Sequence, residues 1–480
     1  MKSFLLLINI FLVSIFLASK LCISRNVGKN YYQIDVKLSE KSLSKYLSLS
    51  HDPCKDFYNF SCEGWIYGKH LENIFGESED LSDIQDFNSF LSEGVTKRKY
   101  DDQLKIIKTI SDMYRKCLTM EVELQQICLI KILRFGYYAY ASYYIHKLEN
   151  NIKIKYSYKI VENIFKNVAH EFKLLLEERK DLFDKYTIKN YLNKINKLKI
   201  NRRYHKYLGN LSFMEKCYNY FKFSHYDSPE KMMENIDNYQ FAIPDNDKKF
   251  KKICVNYIVN LQIYEYDIDD LVSNVAHYHL SLNNIIINPI ALKEPCFSPK
   301  FPMSLNYGCI GTIIGHEIIH AFDLLGMNYD IKGNINQNMT NKDSRKKYKD
   351  KSNCLSMQYT NESLKDFGSN RRKFLILNEN IADNGGIKIS HRAYMKYLES
   401  IGGSEPKIPG FETLTEEQLF FINFARFFCT LKRSYDNVGP HFPGNIRIKN
   451  TLSNYLPFSK AYNCKVGSKM NPINKCEVWL

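Results

Sequence analysis

Apolar and polar positions recur with a helical period through the middle of the chain, from about Asp101 to Lys251. In the clearest stretch, KIVENIFKNVAHEFKLLLEE, the apolar residues stand three or four positions apart, which places them on one helix face. They are Ile160, Val161, Ile164, Phe165, Val168, Phe172 and Leu175. The pattern predicts a lobe of amphipathic helices, and the tyrosine-rich stretch GYYAYASYYIHK is expected to fill its interior.

The pattern changes after Asp267. The apolar run Ile285–Ile287 lies between asparagines and a proline, which predicts a short strand. A proline-punctuated loop follows, and then an apolar run that predicts a helix from Ile310 to Leu325, ended by Gly326. The chain is therefore expected to be mainly α-helical with small β elements.

The first residues form a separate apolar segment. Phe4 to Ala18 contains only two polar residues, follows a short basic start and is closed by Lys20. Because fifteen residues are short for a helix that crosses a bilayer, we predict a signal peptide over residues 1–24. A retained anchor, giving a single-pass type II membrane protein, is the alternative. In both cases the rest of the chain is extracytoplasmic.

Composition narrows the class further. The 480 residues are 44% hydrophobic and 25% charged, which excludes wholesale disorder. The net charge of +15 is spread along the chain and no basic block reaches six residues, so no nucleic-acid partner is predicted. Of the 13 cysteines, Cys22 leaves with the leader, and the even remainder fits disulfides in an oxidising compartment. Sequons at Asn59, Asn210, Asn338 and Asn361 support the secretory route weakly.

The predicted apolar helix carries a metal-binding pattern, HEIIH. His316 and His320 lie one turn apart on the same face and can present two imidazole nitrogens to one Zn²⁺. Glu317 is rotated by about 100° from the first histidine, where it can act on a metal-bound water without being a ligand. Polar groups on so apolar a helix are costly to bury unless a partner satisfies them, and a metal would do so.

A second helical pattern, NENIADNGG, supplies carboxylates. Glu379 and Asp383 stand four residues apart, on one face of a helix. One can complete the zinc site while the other accepts the second N–H of a ligand histidine. Asp323, three residues after His320, can do the same.

These motifs resemble those of the neprilysin family of zinc endopeptidases, which includes the endothelin-converting enzymes. The resemblance runs from about Asp52 to Trp479, and its motifs stand in the family's order. They are HDPCKDFYNFSCEGW, SLNYGCIGTIIGHEIIHAFD, NENIADNGG, FFINFARFFC, HFPGNIR and MNPINKCEVW. The resemblance implies a two-lobed, mainly helical, gluzincin-type fold with one Zn²⁺ per chain.

The resemblance also implies the ligands of the metal. His316, His320 and Glu379 would bind zinc, and Glu317 would be the general base.

Further roles follow from the same resemblance. Asp323 and Asp383 would orient the two histidines, and Asp383 would also serve as a proton donor. His441 would stabilise the oxyanion and Arg447 would bind a substrate carbonyl. Ala276 lies on the strand that would hold the substrate backbone.

Several positions depart from the family pattern. The substrate strand is VAHY (275–278), with Val275 in place of the family's asparagine and Asn274 one position early. Cys296 and Phe297 stand where the family has paired phenylalanines, and no basic match is evident near Leu81–Phe90. These departures bear on substrate preference and leave the metal site intact.

The largest departure is length, because the family inserts most of its capping helical lobe between Cys117 and Cys128. The same gap would be seen in an incomplete gene product. The resemblance implies four disulfides, Cys54–Cys464, Cys62–Cys429, Cys117–Cys128 and Cys354–Cys476. The partners of Cys217, Cys254, Cys296 and Cys309 stay open.

We therefore expect a leader (1–24), an N-terminal peptidase region with a reduced helical lobe (25–255) and a catalytic region (256–480). The expected activity is zinc-dependent cleavage of extracellular oligopeptides on the amino side of hydrophobic residues, by Glu-assisted attack of zinc-bound water. The alternative is a secreted binding protein, weak or inactive as an enzyme, that keeps zinc for folding. Peptides are the expected partners, and the oligomeric state is left open.

Overall fold

The protein is described by a computed structural model and is mainly helical. The described residues are 33–75, 86–201, 207–263, 266–268, 272, 276–360, 369–430 and 441–479. Among them, no helix is both long and apolar enough to cross a membrane. The predicted leader, residues 81–85, Asn274, Val275 and the sequon at Asn361 lie outside these residues.

The first half of the described chain is helical, as its hydrophobic period predicts. Its helices are α1 (Val36–Ser44), α2 (Phe57–Phe75), α3 (Phe87–Thr96), α4 (Lys105–Cys117), α5 (Val122–Asn150), α6 (Ile152–Glu178), α7 (Lys185–Lys197), α8 (Leu211–Tyr218), α9 (Pro229–Asp237), α10 (Tyr239–Ala242) and α11 (Lys248–Ile258). Asn151 separates the long helices α5 and α6, because its side chain accepts the backbone N–H groups of Lys153 and Ile154 and so caps α6.

The tyrosine-rich stretch lies on α5, and the prediction that it fills the interior is confirmed. Tyr138, Tyr140 and Tyr144 are buried, and α4, α8, α9 and α11 pack around this helix. Helix α6 instead packs against the elements that carry the predicted metal ligands. Helix α6 therefore links the helical first half to the helices that carry the predicted metal ligands.

The strands are few and short. Strands β1 (Lys199–Asn201), β4 (Ala276–His279) and β5 (Asn284–Ile287) form a sheet in the order β1–β5–β4, and β2 (Gln262–Ile263) pairs with β3 (Tyr266–Asp267). The predicted strand is confirmed as β5, which pairs in parallel with β1 and antiparallel with β4. Among the described residues, strand β4 lies at one edge of this sheet.

The second half of the described chain contains the remaining helices. They are α12 (Met303–Asn306), the π-helical turn Tyr307–Gly311, α13 (Thr312–His320), α14 (Lys342–Thr360), α15 (Asn370–Ser400), α16 (Glu416–Arg426), α17 (Gly444–Asn454) and α18 (Leu456–Ala461). Short 3₁₀ turns occupy Pro289–Leu292, Gly326–Asn328 and Gln337–Met339.

The predicted helix from Ile310 to Leu325 is wrong at its end, because α13 stops at His320. The cause is Asp323, whose Oδ1 accepts the backbone N–H groups of Leu325 (2.8 Å) and Gly326 (2.6 Å). A side chain that bonds local backbone N–H groups in this way competes with the helical ladder.

Helices α13 and α15 make direct backbone contact through two glycines, Gly315 and Gly386. A Cβ added to Gly386 would lie 2.5 Å from the backbone nitrogen of His316, and one added to Gly315 would overlap the carbonyl oxygen of Gly386. Any side chain at these positions would force the helices apart. The two predicted metal motifs are therefore adjacent because both helices lack a side chain at the crossing.

A buried lysine secures the chain just after α13. Lys194, on α7, is 1% exposed, and its Nζ donates to the carbonyl oxygens of Ala321, Gly326 and Tyr329, each at 2.8 Å. Burial lowers the pKa of this ammonium to about 7, and the charges of Asp323 and Asp330 oppose the shift. One lysine thus satisfies three carbonyls, one at the C-cap of α13 and two in the turn that follows it.

Six disulfides join the described chain. Four are the pairs that the resemblance implies, and two more link Cys217 to Cys254 and Cys296 to Cys309. Cys54–Cys464 and Cys62–Cys429 close loops of 410 and 367 residues, so they tie the N-terminal helices to the end of the chain. The division at 255/256 stays a prediction, and α11 runs across that position.

We predict that Gly386→Ala destabilises the fold by about 3 kcal/mol, because the new Cβ overlaps the backbone of α13. Zinc affinity should fall together with the melting temperature, since Glu379 and His316 move apart. Gly68→Ala is the matched control, because Gly68 is also in a helix and a Cβ added there would have no atom within 4 Å. Equal melting temperatures for Gly386→Ala and the unmodified chain would contradict the proposed close contact.

We also predict that Lys194→Met lowers the free energy of unfolding by about 3 kcal/mol, because three buried carbonyls lose their donor. Denaturant unfolding measures the loss. Lys197→Met, an exposed position on the same helix, should leave the midpoint unchanged. A Lys194→Met midpoint equal to that of this control would rule out the bracing role.

Candidate metal centre

Three side chains from α13 and α15 converge at the crossing of these helices. The Nε2 atoms of His316 and His320 are 2.9 Å apart, and Oε2 of Glu379 lies 3.2 Å from the first and 3.5 Å from the second. Ligand atoms about 2.0–2.1 Å from a tetrahedral Zn²⁺ are separated by roughly 3.3 Å. The spacing of the three atoms therefore fits a single zinc ion.

The second nitrogen of each histidine is held by a carboxylate. Nδ1 of His316 lies 3.0 Å from Oδ1 of Asp383, and Nδ1 of His320 lies 2.8 Å from Oδ2 of Asp323. Such contacts place the proton on Nδ1 and turn the Nε2 lone pair towards the metal position. Asp323 and Asp383 thus lie where orienting partners are expected.

A bound cation explains the arrangement of Glu379 and the histidine nitrogens around it better than hydrogen bonding does. Oε2 of Glu379 is buried and has no hydrogen-bond partner in the described structure, although imidazole nitrogens surround it within 3.5 Å. A buried carboxylate oxygen without a partner is costly. A zinc ion among these atoms would remove that cost, so the residues fit the metal.

His441 also reaches this carboxylate, with its Nε2 2.8 Å from Oε2 of Glu379. His316, Glu379 and His441 therefore form another metal-sized group. We favour His320 over His441 as the third ligand for two reasons. The His441 side chain is 36% exposed against 18% for His320, and no carboxylate of the described residues contacts Nδ1 of His441.

Asp383 connects the metal site to Arg447. The guanidinium donates through Nε to Oδ2 (2.7 Å) and through Nη2 to Oδ1 (2.6 Å). Burial by itself would raise the pKa of Asp383, but the charge of Arg447 and the hydrogen bond from His316 hold it well below its usual range. Asp383 is thus a saturated, ionised acceptor that orients both neighbours.

A cavity of about 210 Å³ opens beside these side chains. Glu317 lines it and is only 6% exposed, so its carboxylate is shielded from bulk solvent. The lining residues are Ala276, Gly308, Cys309, Thr312, Ile313, His316, Glu317, Asp383, Phe424, Phe427, Phe428, His441 and Arg447. The lining thus combines charged and polar side chains with apolar ones, among them three phenylalanine rings.

The structure brings the sequence-predicted residues together around this cavity. Ala276 lies on edge strand β4, and Arg447 reaches the cavity from α17 with its guanidinium 4.5 Å from the centre of the Phe428 ring. Sequence reasoning missed Lys194, whose partners are all backbone carbonyls that carry no sequence signal. It also missed Phe428 as a stacking partner, although FFINFARFFC marks the segment.

Comparison with known proteins adds independent support for the catalytic region. Residues 275–478 match the model of peptidase family M13. Neprilysin-1 of Caenorhabditis elegans is 40% identical over 209 residues, a match that covers 42% of this chain and 28% of that protein. The chain thus spans less than a third of the length of this curated relative.

Solved structures support the same fold over a larger part of the chain. A chain of a galactose-containing glycoprotein complex from Haemonchus gives a TM-score of 0.62 at 16% identity, covering 93% of this chain and 99% of that chain. The zinc metalloprotease Zmp1 of Mycobacterium tuberculosis gives 0.56 at 20% identity, covering 75% of this chain and 52% of that chain. Residues 275–478 are therefore similar in sequence to peptidase family M13 and to neprilysin-1, and a larger part of the chain shares the fold of these solved structures.

Proposed function

We propose that this chain is a zinc-dependent endopeptidase that cleaves extracellular oligopeptides. The observation that carries the proposal is the convergence of His316, His320 and Glu379 beside a cavity that also contains Glu317. A zinc site that only stabilised a fold would need no buried carboxylate facing an adjacent cavity. The family match of residues 275–478 supports the same activity.

The bound zinc would supply Lewis-acid polarisation of the substrate carbonyl and would lower the pKa of water. Glu317 then has the role of general base. Its carboxylate is buried at the cavity, so it can accept a proton from the attacking water and deliver it to the amine of the leaving group. General-base catalysis of this kind contributes about 10²–10⁴-fold to rate.

Arg447 and His441 line the same cavity and are proposed to act on the substrate carbonyl. Arg447 uses Nε and Nη2 to bind Asp383, which fixes its guanidinium beside the cavity and leaves Nη1 for a carbonyl oxygen. His441 would stabilise the oxyanion from the opening of the cavity. Asp383 acts in this proposal as a positioning residue, because its two oxygens already accept three hydrogen bonds.

Substrate binding is proposed to use edge strand β4 and the phenylalanine rings that line the cavity. Ala276, at the start of edge strand β4, lines the cavity, and an extended peptide would pair with this strand. The rings of Phe424, Phe427 and Phe428 then face a substrate side chain. Their apolar surface favours a hydrophobic residue after the scissile bond, which supports cleavage on its amino side.

The proposed compartment is extracytoplasmic. Six disulfides among the described residues fit an oxidising environment, where such bonds persist. Secretion through the leader at 1–24 and retention as an anchor are both consistent with this placement, and either one brings the site to extracellular peptides.

We predict that Glu317→Gln lowers kcat/KM by about a thousandfold while zinc content stays the same, because the amide cannot accept the proton. A quenched fluorescent peptide and metal analysis measure the two quantities. Glu412→Gln, at an exposed position, is the matched control and should be fully active. Undiminished cleavage by Glu317→Gln would remove the proposed mechanism. Absence of chelator-sensitive cleavage in the unmodified, zinc-loaded chain would favour a zinc-stabilised binding protein instead.

We further predict that Arg447→Lys lowers kcat/KM by about a hundredfold, because lysine cannot reproduce the two-pronged contact with Asp383. Zinc content should fall little, since the metal ligands are unchanged. Arg371→Lys, at an exposed position, serves as the control. Unchanged kcat/KM for Arg447→Lys would show that the two hydrogen bonds from Arg447 to Asp383 are not needed for catalysis.

A further inference from the structure

We infer that the disulfide Cys296–Cys309 is a specificity-determining element of the cavity beside the metal centre, where it limits the size of the substrate side chain that can bind. The inference rests on the proposed peptidase function, because it concerns the substrate choice of that same site. Of the six disulfides in the described chain, only this one contributes a residue to the lining of the cavity.

Cys309 belongs to a helical segment that leads to the candidate metal ligands. The π-helical turn Tyr307–Gly311 continues directly into α13, which carries His316. We call residues 308–313 of this segment the helical wall, because four of them line the cavity. They are Gly308, Cys309, Thr312 and Ile313. The position of the helical wall therefore helps to set the space available to a substrate.

The disulfide attaches the helical wall to the loop that precedes it. Cys296 lies 13 residues before Cys309, and their Cα atoms are 5.0 Å apart. The two residues are 5% and 1% exposed, so their sulfur atoms occupy space within the packed interior. A covalent bond at this point keeps the helical wall from moving away from the loop to admit a larger side chain.

The helical wall is also fixed against α16. A Cβ added to Gly308 would lie 2.3 Å from the carbonyl oxygen of Phe420, so the π-helical turn contacts the backbone of α16 without a side chain between them. Helix α16 itself contributes Phe424 to the lining of the cavity. The helical wall is thus held at two places, by a backbone contact and by a covalent bond, and the size of the cavity is set before a substrate arrives.

The loop that the disulfide closes is also held by hydrogen bonds. Asn306 Nδ2 donates to the carbonyl oxygens of Ser298 (3.0 Å) and Phe301 (3.4 Å), and its Oδ1 accepts the backbone N–H of Ser298 at 3.2 Å. The buried carboxylate of Glu405 accepts the backbone N–H of Met303 at 2.6 Å. A disulfide that closes a short loop restricts the unfolded chain less than one that closes a long loop. We therefore expect the chain to fold without this bond, which makes its effect on the cavity measurable.

Peptide binding to the zinc-loaded Glu317→Gln chain tests the inference without relying on hydrolysis. The probes are two capped alanine peptides that carry a single leucine or a single tryptophan at the same position, and calorimetric titration gives their Kd values. The chain with the disulfide should bind the leucine peptide more tightly. In the same background, Cys296→Ala/Cys309→Ala should reduce the ratio of the two affinities by about tenfold, because the loss of two sulfur atoms and their bond leaves space for the larger ring.

A second disulfide provides the matched control. Cys217→Ala/Cys254→Ala removes the bond between α8 and α11, and neither residue lines the cavity. This control should lower the melting temperature at least as much, because its cysteines are 37 residues apart, and should leave the ratio of affinities unchanged. A loss of stability alone therefore does not produce the expected result.

A further variant covers the case in which the double alanine variant does not melt cooperatively. Cys296→Val/Cys309→Ala also lacks the covalent bond, but the valine refills part of the space that the sulfur atoms leave. It should change the ratio of affinities in the same direction.

Three results would overturn the inference. They are an unchanged ratio in the folded variants without the bond, an equal change in the control, and the absence of binding for both peptides. Chelator-sensitive hydrolysis by the chain with Glu317 is measured in parallel, so the two proposals can be told apart. A ratio that changes as expected without any hydrolysis would overturn the proposed activity and support the size limit. Hydrolysis together with an unchanged ratio would support the activity and overturn the size limit.

Discussion

The direct backbone contact between α13 and α15 is the constraint on which the rest of the structure depends. Gly315 and Gly386 leave no room for a side chain where the helices cross. At that distance Glu379 reaches the Nε2 atoms of His316 and His320, and Asp383 reaches Nδ1 of His316. A shift of about one ångström would break both sets of contacts, because ligand positions for zinc tolerate only a few tenths of an ångström.

Other parts of the chain hold this crossing from outside. Lys194 binds the carbonyls of Ala321 and Gly326, on either side of Asp323, and so holds this segment close to His320. Arg447, on α17, donates two hydrogen bonds to the carboxylate of Asp383. Long-range disulfides tie the N-terminal helices to the C-terminal segments around them. Residues from both the N-terminal and the C-terminal parts of the chain thus support the candidate metal centre, although each ligand motif is a short continuous segment.

Much of this arrangement follows from sequence patterns, and the exceptions have physical reasons. The HEIIH spacing fixes two histidines on one helix face wherever that helix lies, and the apolar run Ile285–Ile287 between asparagines and a proline suffices to predict β5. The end of α13 was predicted too late, because Asp323 bonds the backbone of its own turn, which apolar periodicity does not reveal. Lys194 could not be predicted, since its partners are main-chain carbonyls. The pairing of Cys217 with Cys254 and of Cys296 with Cys309 depends on three-dimensional proximity alone.

The central claim is that His316, His320 and Glu379, and not His441, hold a single zinc ion. Metal analysis of purified His320→Ala and His441→Ala, each titrated with zinc against a competing chelator, tests it most directly. The unmodified chain should bind one zinc ion, His441→Ala should bind it with an affinity within about tenfold, and His320→Ala should lose at least a hundredfold. Retention of tight zinc binding by His320→Ala, together with its loss in His441→Ala, would contradict the claim.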